Sequence, residues 1–484
     1  MNDIRNLEPK SLWSYFYDIT RIPRPSKKEK QITEFILKFA GQYKLESLVD
    51  KTGNVILRKN ATKGMENRKG VILQAHLDMV PQKNSDKVHD FEKDPIETII
   101  DGEWVRANGT TLGSDNGIGV AAAMAVLASD DIVHGPLEVL FTVDEETGMT
   151  GARGLKPGIL KGDILINLDS ETEGELYVGC AGGLDATAVF KYREKPLPKG
   201  HEVLAIHVKG LRGGHSGMEI HEGRGNANKV MMRVLLPALR DLKAKLVSIE
   251  GGNLRNAIPR EAVAVVALPP SKVKALQAIV DSVLAKVKNE YANIDPNIEI
   301  FLEKTKGKNM MCGQVALKMA KAVYACPNGV DRMSLEMADL VETSNNLAIV
   351  KSEDGQIVVK CLMRGSIDSA KEDLSEAIRA TFELAGAEVT LSGGYSGWQP
   401  NMKSPILKTM KETYFNLFGK AAEVTAVHAG LECGILGSKY PNWDMISCGP
   451  TILSPHSPDE RVFIPSVDKW WKFMVAALAD APKK

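Results

Sequence analysis

Three apolar runs in the first third of the chain end in acidic residues or histidine, at residues 70–80, 135–148 and 161–171. Near-continuous apolar runs of this length are typical of strands buried on both faces, as in a parallel or mixed sheet covered by helices. Residues 117–129, between the first two runs, are rich in small apolar side chains and long enough for a helix packed closely on such a sheet. The pattern predicts an α/β fold.

The pattern changes near residue 184, where strands begin to alternate with amphipathic helices. A charged, proline-containing stretch at residues 191–202 accompanies this change. Residues 263–287 and 357–382 then share one order, a strand, a short turn and an amphipathic helix, which indicates a weak internal repeat. The middle of the chain therefore forms a domain of its own.

A glycine-rich segment at residues 393–400 precedes a return of the strand and helix pattern of the first region. We therefore predict a discontinuous first domain with a mixed or parallel sheet, built from residues 1–183 and 398–484. A smaller α/β domain is expected in residues 184–397. The second domain is thus inserted into the first.

Length and charge narrow the class of protein. The chain has 484 residues, with 61 Lys and Arg against 61 Asp and Glu, which favours two or three domains and gives a formal net charge of zero. No part of the chain carries a block of one sign, so we expect neither a nucleic-acid partner nor a membrane-surface partner. The N-terminus lacks the pattern of a secretory signal, and no stretch approaches 18 apolar residues. Six scattered cysteines without a Cys-x-x-Cys pair predict buried thiols and a cytoplasmic location.

Chemistry-bearing residues follow the apolar runs. His76 and Asp78 end the first run two positions apart, so on a strand both side chains point to one face. The acids after the other two runs, and in the glycine-rich loop before the helix, are Asp115, Glu145, Glu146 and Asp169. Loops at the carboxyl ends of strands in an open α/β sheet meet at one crevice. We therefore expect these side chains to converge.

An isolated acid at a strand end is more often a helix cap or a solvated loop residue. Repetition at several strand ends favours a shared site, and dense acids in a dry crevice repel unless cations neutralise them. Histidine with carboxylates suits zinc, and the oxygen ligands also admit manganese or cobalt. Glu145 and Glu146 are adjacent, so on extended backbone one can bind a metal while the other faces a substrate.

Seven sequence blocks occur in order: HLD, GSDNG, DEETG, NLD, GGHSGMEI, HAGLECGI and SPHSPDE. Together they resemble the two-zinc metallopeptidases that include the carnosinases, over essentially the whole chain. The resemblance implies a metal-dependent dipeptidase acting on short unblocked dipeptides, with those ending in histidine, such as β-alanyl-histidine, as expected substrates. It gives the first domain the catalytic role and makes the inserted domain a lid.

The resemblance also implies roles for single residues. Two zinc ions per chain would be held by five ligands, His76 and Asp169 for one ion, Glu146 and His456 for the other, and Asp115 as a bridge. Glu145 would be the general base, and Asp78 would orient the ring of His76. The peptide bond between Asp115 and Asn116 is expected to be cis.

In the lid the resemblance implies contacts with the substrate. His215 would stabilise the oxyanion, and Arg364 would pair with a substrate carboxylate. Asn256 and the backbone of Gly430 would also bind the dipeptide. If the metals lie on one domain and these groups on the other, we expect turnover to require closure of the domains. A homodimer through the lid and a monomer both stay open.

Two other functions stay open. One is an N-acyl amino acid deacylase on the same scaffold, which a comparison of β-alanyl-histidine with N-acetyl amino acids would separate. The other is a protein that binds metal or peptide without catalysis. The presence of Glu145 argues against the second, because a site that only binds needs no base beside its metals.

Overall fold

Short runs of aliphatic and β-branched residues form the strands of a computed structural model, which describes residues 3–484. The strands of the first part of the chain are β1 Glu46–Val49, β2 Val55–Lys59, β3 Val71–His76, β4 Thr98–Asp101, β5 Trp104–Ala107, β6 Leu137–Thr142, β7 Ile164–Asn167 and β8 Glu175–Cys180. The helices of this part are α1 Lys10–Thr20, α2 Lys30–Gln42, α3 Ser114–Ala128, α4 Glu145–Gly148 and α5 Thr150–Gly154.

The middle of the chain contains β9 Gly182–Lys191, β10 Glu194–Pro196, β11 Glu202–Lys209, β12 Gly214–His215, β13 Lys245–Gly251, β14 Ala257–Ile258, β15 Ala262–Leu268, β16 Glu299–Lys304, β17 Asn309–Met311, β18 Gly329–Met333, β19 Val341–Glu353, β20 Gln356–Gly365 and β21 Glu388–Tyr395. Its helices are α6 Ala227–Arg240, α7 Val273–Glu290, α8 Val315–Ala325 and α9 Asp368–Leu384. The last part contains β22 Glu423–Val427, β23 Asp444–Ser447, β24 Ile452–Leu453, β25 Arg461–Phe463, α10 Pro405–Phe418, α11 Glu432–Lys439 and α12 Ile464–Ala479. Short 3-10 helices lie at Ile4–Asn6, Ile220–Glu222 and Pro270–Lys272.

The chain divides into two compact units. Unit 1 comprises the residues up to Gly179 together with Pro400–Ala426 and Leu431–Lys484. Unit 2 comprises Cys180–Gln399 and the short segment Val427–Gly430. The predicted domain boundaries lie at 183/184 and 397/398, and the prediction assigns the segment Val427–Gly430 to the first domain.

Unit 1 contains an eight-stranded sheet in the order β1-β2-β6-β3-β7-β23-β8-β22. The strand β3 pairs in parallel with β6 on one side and β7 on the other, and β7 pairs in parallel with β23. The outer strand β2 runs antiparallel to β6. The sheet is therefore mixed with a parallel centre, which confirms the predicted α/β fold and the strands expected from the three apolar runs.

The helix predicted at residues 117–129 is α3, whose residues are almost all buried. Its small alanine side chains allow close packing against β3 and α1. The helical geometry is interrupted at Asp115 and Asn116. This interruption turns Asp115 away from a regular helical position at the start of the element.

Unit 2 is built on a nine-stranded antiparallel sheet in the order β16-β11-β15-β13-β19-β20-β9-β21, with β18 beside β19. Alternate residues of β20 are buried, as expected where one face of an antiparallel sheet packs on a core. The helices α6 to α9 contribute buried side chains to that core. The two predicted strand-helix pairs are confirmed as β15 with α7 and β20 with α9.

Five of the six cysteines are buried, Cys312 is partly exposed, and none forms a disulfide bond within the part of the chain that the structure describes. The expectation of buried thiols is confirmed for those five. Across residues 3–484, no helix combines the length and the apolarity that a membrane span requires.

Candidate metal centre and basic cluster

Three neighbouring parallel strands of unit 1 end in the residues that the sequence singles out. His76 is the last residue of β3. Glu145 begins α4, three residues after β6, and Asp169 lies two residues after β7. Because β6, β3 and β7 are adjacent and parallel, their carboxyl ends lie side by side. The expected convergence of these strand ends is confirmed.

The His76 imidazole lies between three carboxylates and is 1% exposed. Its Nε2 lies 3.0 Å from Asp115 Oδ1 and 3.3 Å from Asp169 Oδ1. Its Nδ1 lies 3.3 Å from Asp78 Oδ1, on the other side of the ring. One ring nitrogen therefore faces two predicted ligands, and the other faces the carboxylate predicted to orient the ring.

His456 and Glu146, the second predicted pair of ligands, lie on the side of the other Asp115 oxygen. His456 Nε2 lies 3.1 Å from Asp115 Oδ2 and 2.9 Å from Glu146 Oε2. His456 lies in the loop between β24 and β25 and has a positive φ of 59°. Asp115 thus has one histidine at each carboxylate oxygen, so the structure brings all five predicted ligands together with Asp115 in the middle. The peptide bond between Asp115 and Asn116 is cis, as predicted.

The carboxylates of this cluster create a potential that favours positive charge. Burial acts to lower the pKa of His76, but Asp169, Asp115 and Asp78 raise it well above the usual histidine range. Hydrogen bonds to Asp115 and Glu146 raise the pKa of His456 to about 11. The acids of this cluster therefore favour a positive charge among them, which a divalent cation can supply.

Asp78 lies between His76 and the segment that carries Glu145 and Glu146. Its Oδ1 accepts a hydrogen bond from the backbone N–H of Glu145 at 3.0 Å, and its Oδ2 accepts one from Glu146 N–H at 3.2 Å. Asp78 is fully buried, so these bonds replace the lost hydration of its carboxylate. It therefore holds the start of α4 and lies beside the ring of His76.

Glu145 and Glu146 lie in the helical turn α4 rather than on the extended backbone that the prediction assumed, and their surroundings nevertheless differ. The Glu146 carboxylate pairs with His456, whereas among residues 3–484 the Glu145 carboxylate forms no ion pair with a histidine, lysine or arginine. Burial, opposed by His76 and assisted by the neighbouring acids, raises the pKa of Glu145 well above its usual range. The Glu146 carboxylate is therefore held beside a histidine, whereas the Glu145 carboxylate is not.

The donor set fits a divalent metal. His76, Asp115 and Glu146 each offer a ligand atom, and these atoms lie within 4.8 Å of one another. Glu146 Oε1 is buried and has no hydrogen-bond partner in the described part of the chain, which leaves a carboxylate oxygen unsatisfied unless a cation binds it. Two nitrogen and several oxygen ligands suit zinc, manganese or cobalt.

The residues predicted in the lid lie in unit 2, where His215 belongs to the short strand β12. Its Nδ1 accepts hydrogen bonds from the backbone N–H groups of Gly217 at 3.2 Å and Met218 at 3.1 Å. A nitrogen that accepts carries no proton, so the neutral ring is protonated on Nε2. Burial and the nearby Arg364 lower the pKa of His215, which keeps the ring neutral.

Arg364, near the end of β20, is 5% exposed. Its contacts are long, 3.4 Å to Ser216 Oγ, 3.4 Å to Tyr395 Oη and 3.5 Å from Nη2 to His215 Nε2. Since His215 Nε2 and Arg364 Nη2 are both donors, they lack an acceptor between them. We call His215, Arg364 and the nearby His428 the basic cluster, and it suits an anionic oxygen.

The other two predicted substrate contacts also lie in unit 2. Asn256 is exposed just before β14, and its carbonyl accepts a hydrogen bond from Ser216 N–H at 2.8 Å, next to His215. Gly430 ends the segment Val427–Gly430, which is held by a hydrogen bond from Ala181 N–H to the carbonyl of Ala429 at 2.9 Å. The segment also carries His428 of the basic cluster.

Four charged residues beside the metal centre were not predicted, namely the buried Arg24, Glu432 and Glu460 and the partly buried Glu171. Burial raises the pKa of Glu171 and of Glu432 to about 8. The sequence does offer a signal for Glu460 as a site residue, because it lies four residues after His456 in the block SPHSPDE. No sequence signal indicates a buried role for Arg24, because a single arginine among prolines is ordinarily a surface residue.

An α/β sheet that gathers histidines and carboxylates at the carboxyl ends of its parallel strands has the layout of a metal-dependent hydrolase. The model of Peptidase family M20/M25/M40 matches residues 72–480, and the chain belongs to this family. It is a metallopeptidase, a hydrolase that acts on peptide bonds. The resemblance drawn from the seven sequence blocks is confirmed.

Two relatives cover the chain almost completely. The cytosol non-specific dipeptidase of Escherichia coli (strain K12) is 47% identical over 485 residues, which is 100% of both chains. The crystal structure of aminoacylhistidine dipeptidase from Vibrio alginolyticus is 48% identical, covers 99% of this chain and 98% of its own, and has a TM-score of 0.93. Aminopeptidase PepT from Bacillus cereus ATCC 10987 shares the fold, with 15% identity, 98% and 99% coverage and a TM-score of 0.58.

Proposed function

We propose that the protein is a metal-dependent dipeptidase that hydrolyses short unblocked dipeptides. The observation that carries the proposal is the meeting of two histidines with the carboxylates of Asp115, Glu146 and Asp169, beside a glutamate that pairs with neither histidine. The ligands are proposed to be His76, Asp115, Glu146, Asp169 and His456. A site that only stored metal would gain nothing from the separate carboxylate of Glu145.

Two divalent cations, for which we propose zinc, would be held by these five residues. When bound, they would supply a hydroxide at neutral pH and polarise the scissile carbonyl. Asp115 would contact both, since each of its oxygens already faces a different histidine. Asp78 would keep the ring of His76 in the orientation that presents Nε2 to the metal.

Glu145 is proposed as the general base. Its carboxylate would take a proton from the attacking water and then deliver it to the nitrogen of the leaving amine, so the proton is conserved between the two steps. Asp78 contributes by holding the Glu145 backbone through the hydrogen bond to its N–H. This acid-base assistance is typically worth about 100- to 10,000-fold in rate.

The basic cluster of unit 2 would bind the negatively charged parts of the substrate. His215, protonated on Nε2, would donate to the oxyanion that develops on the carbonyl oxygen. Arg364 would pair with the substrate carboxylate, and Asn256 and the Gly430 backbone would provide further polar contacts. In this scheme unit 1 has the catalytic role and unit 2 has the role of the lid.

The names of the two relatives suggest different breadths of substrate. One is called non-specific, and the other acts on aminoacylhistidine. We propose that unblocked dipeptides form the substrate class and that those ending in histidine, such as β-alanyl-histidine, are preferred among them. The cytosol in the name of the Escherichia coli relative supports a cytoplasmic location.

A dipeptide panel with parallel metal analysis tests the proposal. The purified protein should contain bound divalent metal, hydrolyse unblocked dipeptides, lose activity with a chelator and regain it with zinc, manganese or cobalt. N-acetyl amino acids should be poor substrates, and their preferential cleavage would favour the deacylase alternative. Hydrolysis that persists after complete removal of metal would contradict the proposal.

A further inference from the structure

A buried carboxylate connects the two chain segments that meet at Asp115. Glu460 is 2% exposed and lies in the loop of His456. Its Oε2 accepts hydrogen bonds from Leu112 N–H at 2.7 Å and Gly113 N–H at 2.9 Å. Its Oε1 accepts from the Ser114 N–H and hydroxyl at 2.7 and 2.6 Å, and from Asp115 N–H at 3.2 Å.

Five donors therefore surround the two oxygens of this buried carboxylate. A buried carboxylate is costly unless its oxygens are hydrogen-bonded, so the loop at residues 112–115 must keep its N–H groups directed at Glu460. The next side chain in that loop is Asp115, and the loop of Glu460 also carries His456. The positions of these two predicted ligands are therefore coupled through Glu460.

A buried arginine makes the complementary connection. Arg24 is 2% exposed, and its Nη1 donates to the carbonyl of Leu77 at 2.9 Å and to that of Asp78 at 2.7 Å. Its Nη2 donates to the carbonyl of Gly113. Arg24 therefore joins the end of β3, which carries His76, to the loop that Glu460 holds.

Gly113 shows how closely this loop fits around the guanidinium. Its φ of +72° is a left-handed value, and a Cβ there would lie 2.6 Å from Arg24 Nη2 and 2.9 Å from Met79 Sδ. The position requires glycine both for its backbone conformation and for this close approach. A neighbour that simply filled space would impose no such fit on the loop.

We propose that Glu460 and Arg24 are positioning residues, which hold the strand end of His76, the loop of Asp115 and the loop of His456 at the separations that metal binding needs. The inference rests on the proposed function, because it concerns the same centre. Neither side chain contacts a metal or the substrate in this scheme. Both act through the backbone of the segments that carry the ligands.

Glu460→Gln tests the proposal, because the amide keeps the shape but directs an NH₂ group at backbone donors. We expect zinc affinity, measured by competition with a chromogenic chelator, to fall about 10- to 100-fold, as for other residues that orient metal ligands. With saturating zinc, kcat should fall while KM for a dipeptide changes little, because the basic cluster is untouched. Arg24→Lys keeps the charge but loses the planar guanidinium with its two donating nitrogens. It should therefore lower zinc affinity, as Glu460→Gln does.

Asp444→Asn is the matched control. Asp444 accepts hydrogen bonds from Ser404 Oγ at 2.5 Å and Ile406 N–H at 2.8 Å, at the amino end of β23 and so at the opposite end of the parallel strands. The Asp444→Asn variant should leave zinc affinity unchanged. Equal zinc affinity in folded Glu460→Gln and wild type, or an equal loss in the control, would overturn the inference. If Glu460→Gln does not fold, Glu460→Asp and Arg24→Lys decide in its place.

The affinity measurement separates this inference from the proposed function. A wild type that binds zinc but hydrolyses no dipeptide would remove the function, while the affinity of the variants would still test positioning. A wild type that hydrolyses dipeptides, with variants of unchanged affinity, would remove only the positioning role. A wild type that binds no zinc, manganese or cobalt would overturn both.

Discussion

The metal centre of unit 1 and the basic cluster of unit 2 move the pKa of histidine in opposite directions. Carboxylates raise the pKa of His76 well above its usual range. In the basic cluster burial and Arg364 lower the pKa of His215, and they lower that of His428 to about 3. The surroundings therefore favour a positive charge near His76 and disfavour one near His215, because the neighbouring groups differ in sign.

The difference indicates which partners each region requires. The acids of unit 1 need a cation to reduce their mutual repulsion. The basic cluster has donors without an acceptor between them, so it needs an anionic oxygen. Under the proposed function, metal ions would be the cations for unit 1, and the anionic oxygens of a dipeptide would be the partners of the basic cluster.

The largest loss of activity that separates the general base from the metal ligands in unit 1 is expected on substitution of Glu145. Glu145→Gln removes the proton acceptor and leaves the five ligands intact, so kcat should fall about 100- to 10,000-fold. Metal content, measured by mass spectrometry, should stay at the wild-type level. His76→Ala should instead lose both metal and activity. If Glu145→Gln turns over dipeptide at the wild-type rate, Glu145 is not the base.

A smaller loss is expected when the donor of the basic cluster is removed. His215→Ala should lower kcat about 100- to 1,000-fold, as for other oxyanion donors, without changing metal content. His207→Gln in the same unit is the control, since His207 only stacks on Phe301 and pairs with Glu303. Loss of metal from His215→Ala would show that the two regions are not chemically separate.

The sequence predicts the two regions unequally well. In unit 1 each ligand-bearing strand is an apolar run that stops at an acid or histidine, so the strand and its functional residue share one local signal, as at His76 and Asp169. Such local signals predict the strands to within a few residues. The basic cluster has no such pattern, and His215 and Arg364 were found through the family resemblance alone.

Residues whose role depends on contacts between distant segments escape local patterns. Glu460 accepts from the Ser114 backbone 346 positions away, and Arg24 donates to a carbonyl 53 positions away. A buried charge and a surface charge look the same in sequence, because burial depends on the packing of the whole unit. The segment Val427–Gly430 escaped for the same reason, since it joins unit 2 for only four residues.

Arg364→Lys sharpens the description of the basic cluster as an anion site. Lysine keeps the charge but cannot form the bidentate pair, so we expect kcat/KM for dipeptides to fall roughly 10- to 100-fold, the loss expected for a charge-assisted hydrogen bond. The change should appear mainly in KM. Dipeptide amides, which lack the carboxylate, should be cleaved equally slowly by both proteins. An equal fold-loss on both substrates would mean that Arg364 does not read the carboxylate.

The smallest effect concerns stability and depends on pH. Burial and the nearby Arg364, His221 and His215 lower the pKa of His428 from 6.5 to about 3. The unfolded chain therefore binds a proton that the folded protein does not between these values, so the stability is complete above pH 6.5 and is lost as pH falls toward 3. From pH 7.5 to 5.5 this one group should cost about 1.4 kcal/mol. His428→Asn, measured by urea unfolding at both pH values, should reduce the pH dependence by that amount. An unchanged pH dependence would mean that His428 binds a proton as readily in the folded protein as in the unfolded chain, which would contradict the low pKa assigned to it.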